Sequence, residues 1–102
     1  MLLSIMETRE LTRKFLDEIL YANDFINRED KFSCKKHWGN WIEKITPVVE
    51  KAVAILGVDF FTDDFISMFC DGDDADVQKA IKENPCLKEL HDILNDYFDW
   101  LS

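Results

Sequence analysis

An all-α fold, a compact bundle of five to six short-to-medium helices, is predicted by three observations. Apolar residues recur at spacings of three and four along most of the chain, which is the periodicity of an amphipathic helix. No stretch of strand length alternates cleanly between apolar and polar residues. The three glycines and two prolines stand singly and divide the 102 residues into helical lengths. A chain of this length forms one domain, so we assign residues 1–102 to a single helical domain.

The first helix is predicted over residues 4–27. Ser4 and Glu7 fit a capping box, in which a hydroxyl and a carboxylate three residues later satisfy the free N–H groups of the first turn. The residues with near-helical spacing that form its apolar stripe are Leu11, Phe15, Ile19 and Ile26, widened by Leu16 and Ala22. A polar run over residues 27–30 ends the segment.

The second segment begins near residues 32–33 and is interrupted by Pro47. Thr46 followed by Pro47 is typical of an N-cap with proline at the first helical position. We therefore expect a new helix to start there, rather than a kink within a longer one. Apolar residues at helical spacing continue as far as Gly57, which lies where the C-terminus of a helix favours a left-handed residue.

A short third helix is predicted over residues 62–71. Thr62 is its expected N-cap, and two carboxylates follow at the positive end of the helix dipole. Its aromatic residues align at i, i+4 and i+8, namely Phe61, Phe65 and Phe69. Further apolar residues extend nearly around the axis, so this helix is either buried centrally or presents a second apolar face to a partner.

The fourth segment, residues 74–84, is weakly amphipathic, and the last segment is strongly so. Asn84 and Pro85 form another N-cap followed by proline, so we expect the last helix to start at this point. The residues of its apolar stripe are Leu87, Leu90, Leu94, Tyr97, Phe98 and Leu101.

The net charge of the chain is −9, and all of it comes from one part of the sequence. Residues 59–102 contain twelve acidic and three basic residues, whereas residues 1–58 contain nine of each. Direct contact with nucleic acid or with an anionic membrane is not expected, because both require clustered Lys and Arg. A basic protein surface is the natural complement of such a chain.

Helix capping explains the positions of some of these acidic residues but not of others. Asp73 and Asp74 fall at a predicted helix N-terminus, where a carboxylate stabilises the helix. Asp92, Asp96 and Asp99 instead form one stripe at i, i+4 and i+7, a spacing at which like charges cost helix stability. Because this stripe of carboxylates reduces the stability of the helix, it indicates a role in binding. The expected partner-binding residues are Asp73, Asp74, Asp76, Asp92, Asp96 and Asp99 for steering, with Trp100 and Phe60 as apolar anchors.

No catalytic residue set and no cofactor are expected from the motifs. Residues 71–76 have the acidic character of a calcium loop, but Asp76 stands where such a loop needs glycine. Two thiols and two imidazoles could bind zinc: Cys34 and His37, three residues apart, and Cys86 and His91. The second spacing of five residues is awkward for two ligands on one helix face, so zinc is kept only as an alternative.

The compartment expected is the cytoplasm. Three cysteines are an odd number, and reduced thiols explain them more simply than disulfides. No apolar run approaches the ~20 residues that span a bilayer.

Together these features predict a non-catalytic protein-binding domain, a small acidic inhibitor that blocks a basic nuclease or nucleic-acid-binding complex. Immunity proteins against nuclease toxins and phage anti-defence proteins share this acidic, helical character, which is an analogy at the level of class. One alternative is a structural or oligomerisation subunit, even a homo-oligomer, associating through the apolar third helix. The second alternative is a zinc-binding or thiol-dependent protein.

Overall fold

Five α-helices and one 3₁₀-helix make up the computed structural model, which describes residues 5–22 and 35–101. In chain order they are α1 (Ile5–Ala22), α2 (Lys35–Leu56), the 3₁₀-helix (Val58–Phe60), α3 (Asp63–Asp71), α4 (Asp74–Glu83) and α5 (Leu87–Leu101). No strand occurs in these two ranges, and the predicted all-α bundle is confirmed. None of the described helices has the length and apolar character needed to cross a membrane.

Three expectations concern residues outside the described ranges. These are the capping box that includes Ser4, the extension of the first helix to residue 27, and the start of the second segment near residues 32–33. Within the described part, α1 begins at Ile5 and Glu7 lies in its first turn.

The core forms where α1 packs against α2, α3 and α5. Helix α2 also packs against α5, and α4 contacts both α3 and α5. The fully buried side chains lie at these contacts, and the largest apolar ones are Phe15, Leu16, Ile45, Ile66, Leu87, Leu90 and Leu101. One cluster of buried apolar side chains therefore includes residues from all five described helices.

Helix α2 runs through Pro47 without a break, so the prediction of a new helix start at Thr46 is wrong. Thr46 is buried instead of capping a helix N-terminus, and its hydroxyl donates to the carbonyl of Ile42 at 2.6 Å. Ile45 and Val49, one on each side of the proline, are both fully buried. Burial of the same face before and after Pro47 keeps the chain helical despite the missing N–H group.

Helix α3 begins and ends as its sequence predicts, but its apolar surface is used within the domain. The hydroxyl of Thr62 accepts from the backbone N–H of Phe65 at 3.1 Å, which confirms the N-cap. Ile66 and Phe69 are buried, and the other apolar residues of α3 are half-buried. The exposed positions of the helix are all polar: Asp63, Asp64, Ser67 and Asp71. Helix α3 therefore has no fully exposed apolar residue, and self-association through its half-buried apolar residues stays a prediction.

Two other helix ends differ in how closely they match the prediction. Gly57, after α2, has the positive φ expected there, 84°, but its ψ of 154° is extended and not that of a left-handed helical residue. Asn84 instead caps the C-terminus of α4, with its N–H bonded to the carbonyl of Ala80 at 2.9 Å. The regular helix α5 begins at Leu87, two residues later than Pro85, because residues 85–86 form a turn.

Candidate functional site

The acidic stripe on α5 faces away from the core. The apolar residues of this helix that are buried are Leu87, Leu90, Leu94, Tyr97 and Leu101. Because successive helical residues are about 100° apart, Asp92, Asp96 and Asp99 lie within about 60° of one another on the opposite side. All three side chains are exposed. The structure therefore brings these three predicted residues together.

Most of this stripe lacks an ion pair. Lys88 lies 3.2 Å from the carboxylate of Asp92, one turn away on the same exposed face. Asp96 and Asp99 form no ion pair with any residue that the structure describes. They belong to the C-terminal half of α5, and the last turn of that helix contains no basic residue. The negative end of the helix dipole thus adds to the negative charge of the stripe.

A second acidic group lies at the N-terminus of α4, directly after a tight turn. The N–H of Gly72 bonds to the carbonyl of Met68 at 2.7 Å, which ends α3. A Cβ atom at Gly72 would overlap the carbonyl oxygen of Met68, so the turn requires glycine. Asp73 is the N-cap of α4 and Asp74 its first residue. Gly72 thereby fixes where these two carboxylates stand.

The acids of α4 do not all point in one direction. Asp74 and Asp76 are separated by about 200° around the helix axis, so they lie on opposite sides of α4. Asp74 is among the residues that line a groove between α4 and α5. The six predicted aspartates therefore form two groups on neighbouring helices, three at the start of α4 and three on α5.

The groove that Asp74 lines, called here the α4–α5 groove, has a volume of about 280 Å³. Its lining comes from four helices and is more polar than apolar. The side chains of Asp74, His91 and Asn95 are polar, Phe69, Val77, Leu94 and Phe98 are apolar, and Cys70 and Gly72 complete the α3 side. The ring of His91 packs edge-on against Phe69 at 5.7 Å between centroids. No feature of the sequence indicated this groove, because its residues come from segments far apart in the chain.

The two predicted apolar anchors are half-buried parts of aromatic clusters. Trp100 lies 5.9 Å from Trp41 and 6.2 Å from Tyr97, measured between ring centroids. Phe60 lies 4.7 Å from Phe65. Neither ring stands free on the surface, so each would offer only an edge to a partner.

Other large apolar side chains are more exposed than these anchors. Among the described residues they are Met6, Tyr21, Ile55 and Val58. Met6 and Val58 line a shallow groove between α1 and the 3₁₀-helix, together with Leu11 and Phe61. The exposure of Met6 could have been predicted from the sequence, because Met6 lies off the apolar stripe that starts at Leu11.

The proposed zinc ligands are only partly described. Cys34 and the side chain of His37 lie outside the described residues, whereas Cys86 and His91 are half-buried on the described part. Within that part, no three His, Cys, Asp or Glu side chains are arranged as a metal site. The Nδ1 atom of His91 lies 3.5 Å from the side-chain nitrogen of Asn95.

The raised pKa values of the half-buried Cys70 thiol and the buried Tyr97 hydroxyl argue against nucleophilic chemistry at these two positions. Burial, with smaller contributions from Glu18 and Asp71, raises the pKa of the Cys70 thiol to about 12. The thiol contacts the carbonyl of Phe15 at 3.7 Å and stays protonated at neutral pH. Burial, together with the charge of Asp17, also raises the pKa of the Tyr97 hydroxyl. Neither group is poised to react.

Comparison of the chain with known protein families, curated proteins and solved structures gives no match.

Proposed function

We propose that the protein is a non-catalytic acidic inhibitor that binds a basic protein and covers the path nucleic acid would take on it. One observation carries this proposal. Of the twelve acids in residues 59–102, nine form no ion pair with the described residues, and all nine are exposed. They are Asp59, Asp64, Asp71, Asp73, Asp74, Asp76, Glu83, Asp96 and Asp99.

Helix capping explains part of this set only. Asp64, Asp73 and Asp74 lie at or near helix N-termini, where a carboxylate contributes about 0.3–1 kcal/mol. Asp96 and Asp99 lie towards the C-terminus of α5, where the same dipole opposes them. A charge retained where it weakens the fold is best explained by an interaction outside the fold.

The partner suited to this surface is a protein with clustered Lys and Arg, and a nuclease or nucleic-acid-binding complex is the proposed class. A surface of one sign accelerates association with its complement, and salt weakens that effect over a Debye length of about 10 Å at 0.1 M. Inhibition then follows from competition, since the acidic surface and the phosphates need the same basic residues. We place the protein in the cytoplasm, where its thiols would remain reduced.

The first test is affinity purification of the tagged chain from its native host at low and at high salt. We expect a basic nucleic-acid-handling protein that is recovered at low salt and lost at high salt. The variant Asp96→Asn/Asp99→Asn should recover less of it. The matched control is Glu10→Gln/Glu50→Gln, which removes two exposed charges from the first half of the chain.

Two results would contradict the proposal. Equal loss of the partner in both double variants would show that net charge matters and the stripe does not. A self-oligomer that resists high salt and recovers no partner would favour the structural subunit instead. The zinc alternative is tested on the same purified sample by metal analysis, with helicity measured before and after treatment with a chelator.

A second assay tests inhibition itself. The recovered partner is mixed with a fluorescent oligonucleotide, and its binding is followed by anisotropy as the acidic protein is added. Competition predicts that the oligonucleotide is released in proportion to the acidic protein bound. If the acidic protein binds the partner without releasing the oligonucleotide, the anisotropy will not fall. That result would contradict a blocking role and would show only that the two proteins bind each other.

A further inference from the structure

We propose that the α4–α5 groove holds one arginine side chain of the basic partner. This inference rests on the proposed function and deepens it, because it names a contact through which the acidic surface recognises its partner. The acidic stripe on α5 provides attraction at a distance, whereas the groove provides a fitted site for a single group.

The size of the groove suits one side chain. Its volume of about 280 Å³ lies just below the range of roughly 300–1,000 Å³ that is usual for small-molecule sites. Phe69, Val77 and Leu94 are buried side chains that line it. Because these three are nearly fully buried, the apolar surface that the methylene stem of a long cationic side chain could cover comes mainly from the half-buried Phe98.

The polar groups of the groove select a cation. Asp74 supplies a carboxylate, and no lysine or arginine is among the residues that line the groove. The side-chain nitrogen of Asn95 contacts Nδ1 of His91, which leaves the amide oxygen of Asn95 as a hydrogen-bond acceptor. A carboxylate on α4 and an amide oxygen on α5 can thus receive N–H donors from one group between them.

The aromatic content of the groove favours arginine over lysine. Phe98 and His91 are half-buried rings that line it. A guanidinium group is planar and weakly hydrated, so it can stack on such a ring while its edge donates to acceptors. The ammonium group of lysine is a compact point charge with three donors, and it cannot stack on an aromatic ring as a planar guanidinium does.

The test is a titration of the ¹⁵N-labelled full chain with N-acetyl-arginine amide, followed by NMR at low salt. N-acetyl-citrulline amide, which has nearly the same shape but no charge, is the control ligand. We expect saturable shifts in the millimolar range at Asp74, His91, Asn95 and Phe98 with the arginine compound. Citrulline should bind at least about 10-fold more weakly.

Two variants locate the binding. Asp74→Asn should weaken arginine binding about 10-fold, whereas Asp73→Asn should change it by less than about twofold. The two substitutions remove the same charge from adjacent residues at the start of α4, but only Asp74 lines the groove. Asn95→Ala, on the other helix, should also weaken binding and does not alter the cap of α4. Thermal unfolding verifies that each variant folds.

The outcomes separate this inference from the proposed function. Equal shifts with citrulline, or equal effects of the two α4 variants, would overturn the arginine site. If the arginine site is overturned in this way but the variant Asp96→Asn/Asp99→Asn still recovers less of the partner than the unchanged chain, the proposed inhibitor function stands. Arginine binding in the groove without any basic partner from the host would instead overturn the proposed function, and with it the assignment of the arginine to that partner.

Discussion

The hydroxyl oxygens of Thr12 and Thr46 lie 3.1 Å apart where α1 packs against α2. Thr12 donates its proton to the carbonyl of Thr8 at 3.0 Å. The single proton of the Thr46 hydroxyl is shared between the carbonyl of Ile42, at 2.6 Å, and the hydroxyl oxygen of Thr12, which accepts. With Thr8, these two are the buried polar residues of the described part of the chain. The pair therefore links the two helices in the buried part of their interface, whereas the ion pair of Arg9 with Glu43 between the same helices is exposed.

Thr46→Val should lower the free energy of unfolding by about 0.5–1.5 kcal/mol, the net contribution of a hydrogen bond. Thr12 keeps its bond to Thr8 in this variant, so no buried hydroxyl is left without a partner. Urea unfolding of Thr46→Val, Thr12→Val and the double variant measures the coupling. We expect the double variant to lose less than the sum of the single losses, and strict additivity would show that the two hydroxyls do not interact.

Pro47→Ala should raise the free energy of unfolding by about 1–3 kcal/mol, because an interior proline removes one hydrogen bond of the helix and crowds the preceding turn. Pro47 is exposed, so no core contact is lost with the ring. Urea unfolding measures the effect. A loss of stability would mean that Ile45 and Val49 reach the core only because proline bends α2.

Gly72→Ala should lower the free energy of unfolding by about 1–3 kcal/mol, since the added Cβ overlaps the carbonyl of Met68 and forces the turn to shift. Gly39→Ala is the matched control. Position 39 lies inside α2 with open space around it, so the same methyl group should stabilise by about 0.5–1 kcal/mol. Thermal unfolding distinguishes the two signs. Equal changes in stability for the two variants would contradict the conclusion that the turn after α3 requires glycine at position 72.

Local signals in the sequence predicted a helix end correctly where that end depends only on neighbouring residues. The Thr62 cap and the positive φ of Gly57 are set by interactions within one turn, and both were predictable. Thr46 and Pro47 carry the same local signal, but burial of residues on both sides decides the outcome. The α4–α5 groove was not predictable, because it depends on how distant helices pack.

Cys70 should resist alkylation in the folded protein. A pKa of about 12 in place of 9.0 lowers the thiolate fraction at pH 8 about 1,000-fold, and the thiolate is the form that reacts. Peptide mapping by mass spectrometry after iodoacetamide treatment measures this, with the urea-unfolded chain as the control. Equal labelling in both states would contradict the burial.

The raised pKa of Cys70 also has a consequence for stability. The unfolded thiol loses its proton near pH 9 and the folded one only near pH 12. The contribution of Cys70 to stability is therefore present below pH 9 and is lost as the pH rises between these values. Cys70→Ala should lack this part of the alkaline dependence, which unfolding at several pH values measures.

Asp99→Asn should raise the free energy of unfolding by about 0.3–1 kcal/mol at low salt. The carboxylate lies in the last turn of α5, where the helix dipole and the other acids of the stripe oppose it. Asp64→Asn removes the same charge from the first turn of α3 and should lower stability by a similar amount.

Both effects should shrink at 1 M salt, where the Debye length is about 3 Å. With a recovered partner, Asp99→Asn should also slow association, measured by stopped flow, while Asp64→Asn provides the comparison for charge alone. A stabilised variant that binds more slowly would mean that Asp99 serves binding at the expense of the fold. If Asp99→Asn unfolds more easily instead, the carboxylate has a structural role, and the strongest reason for reading the stripe as a binding surface is removed.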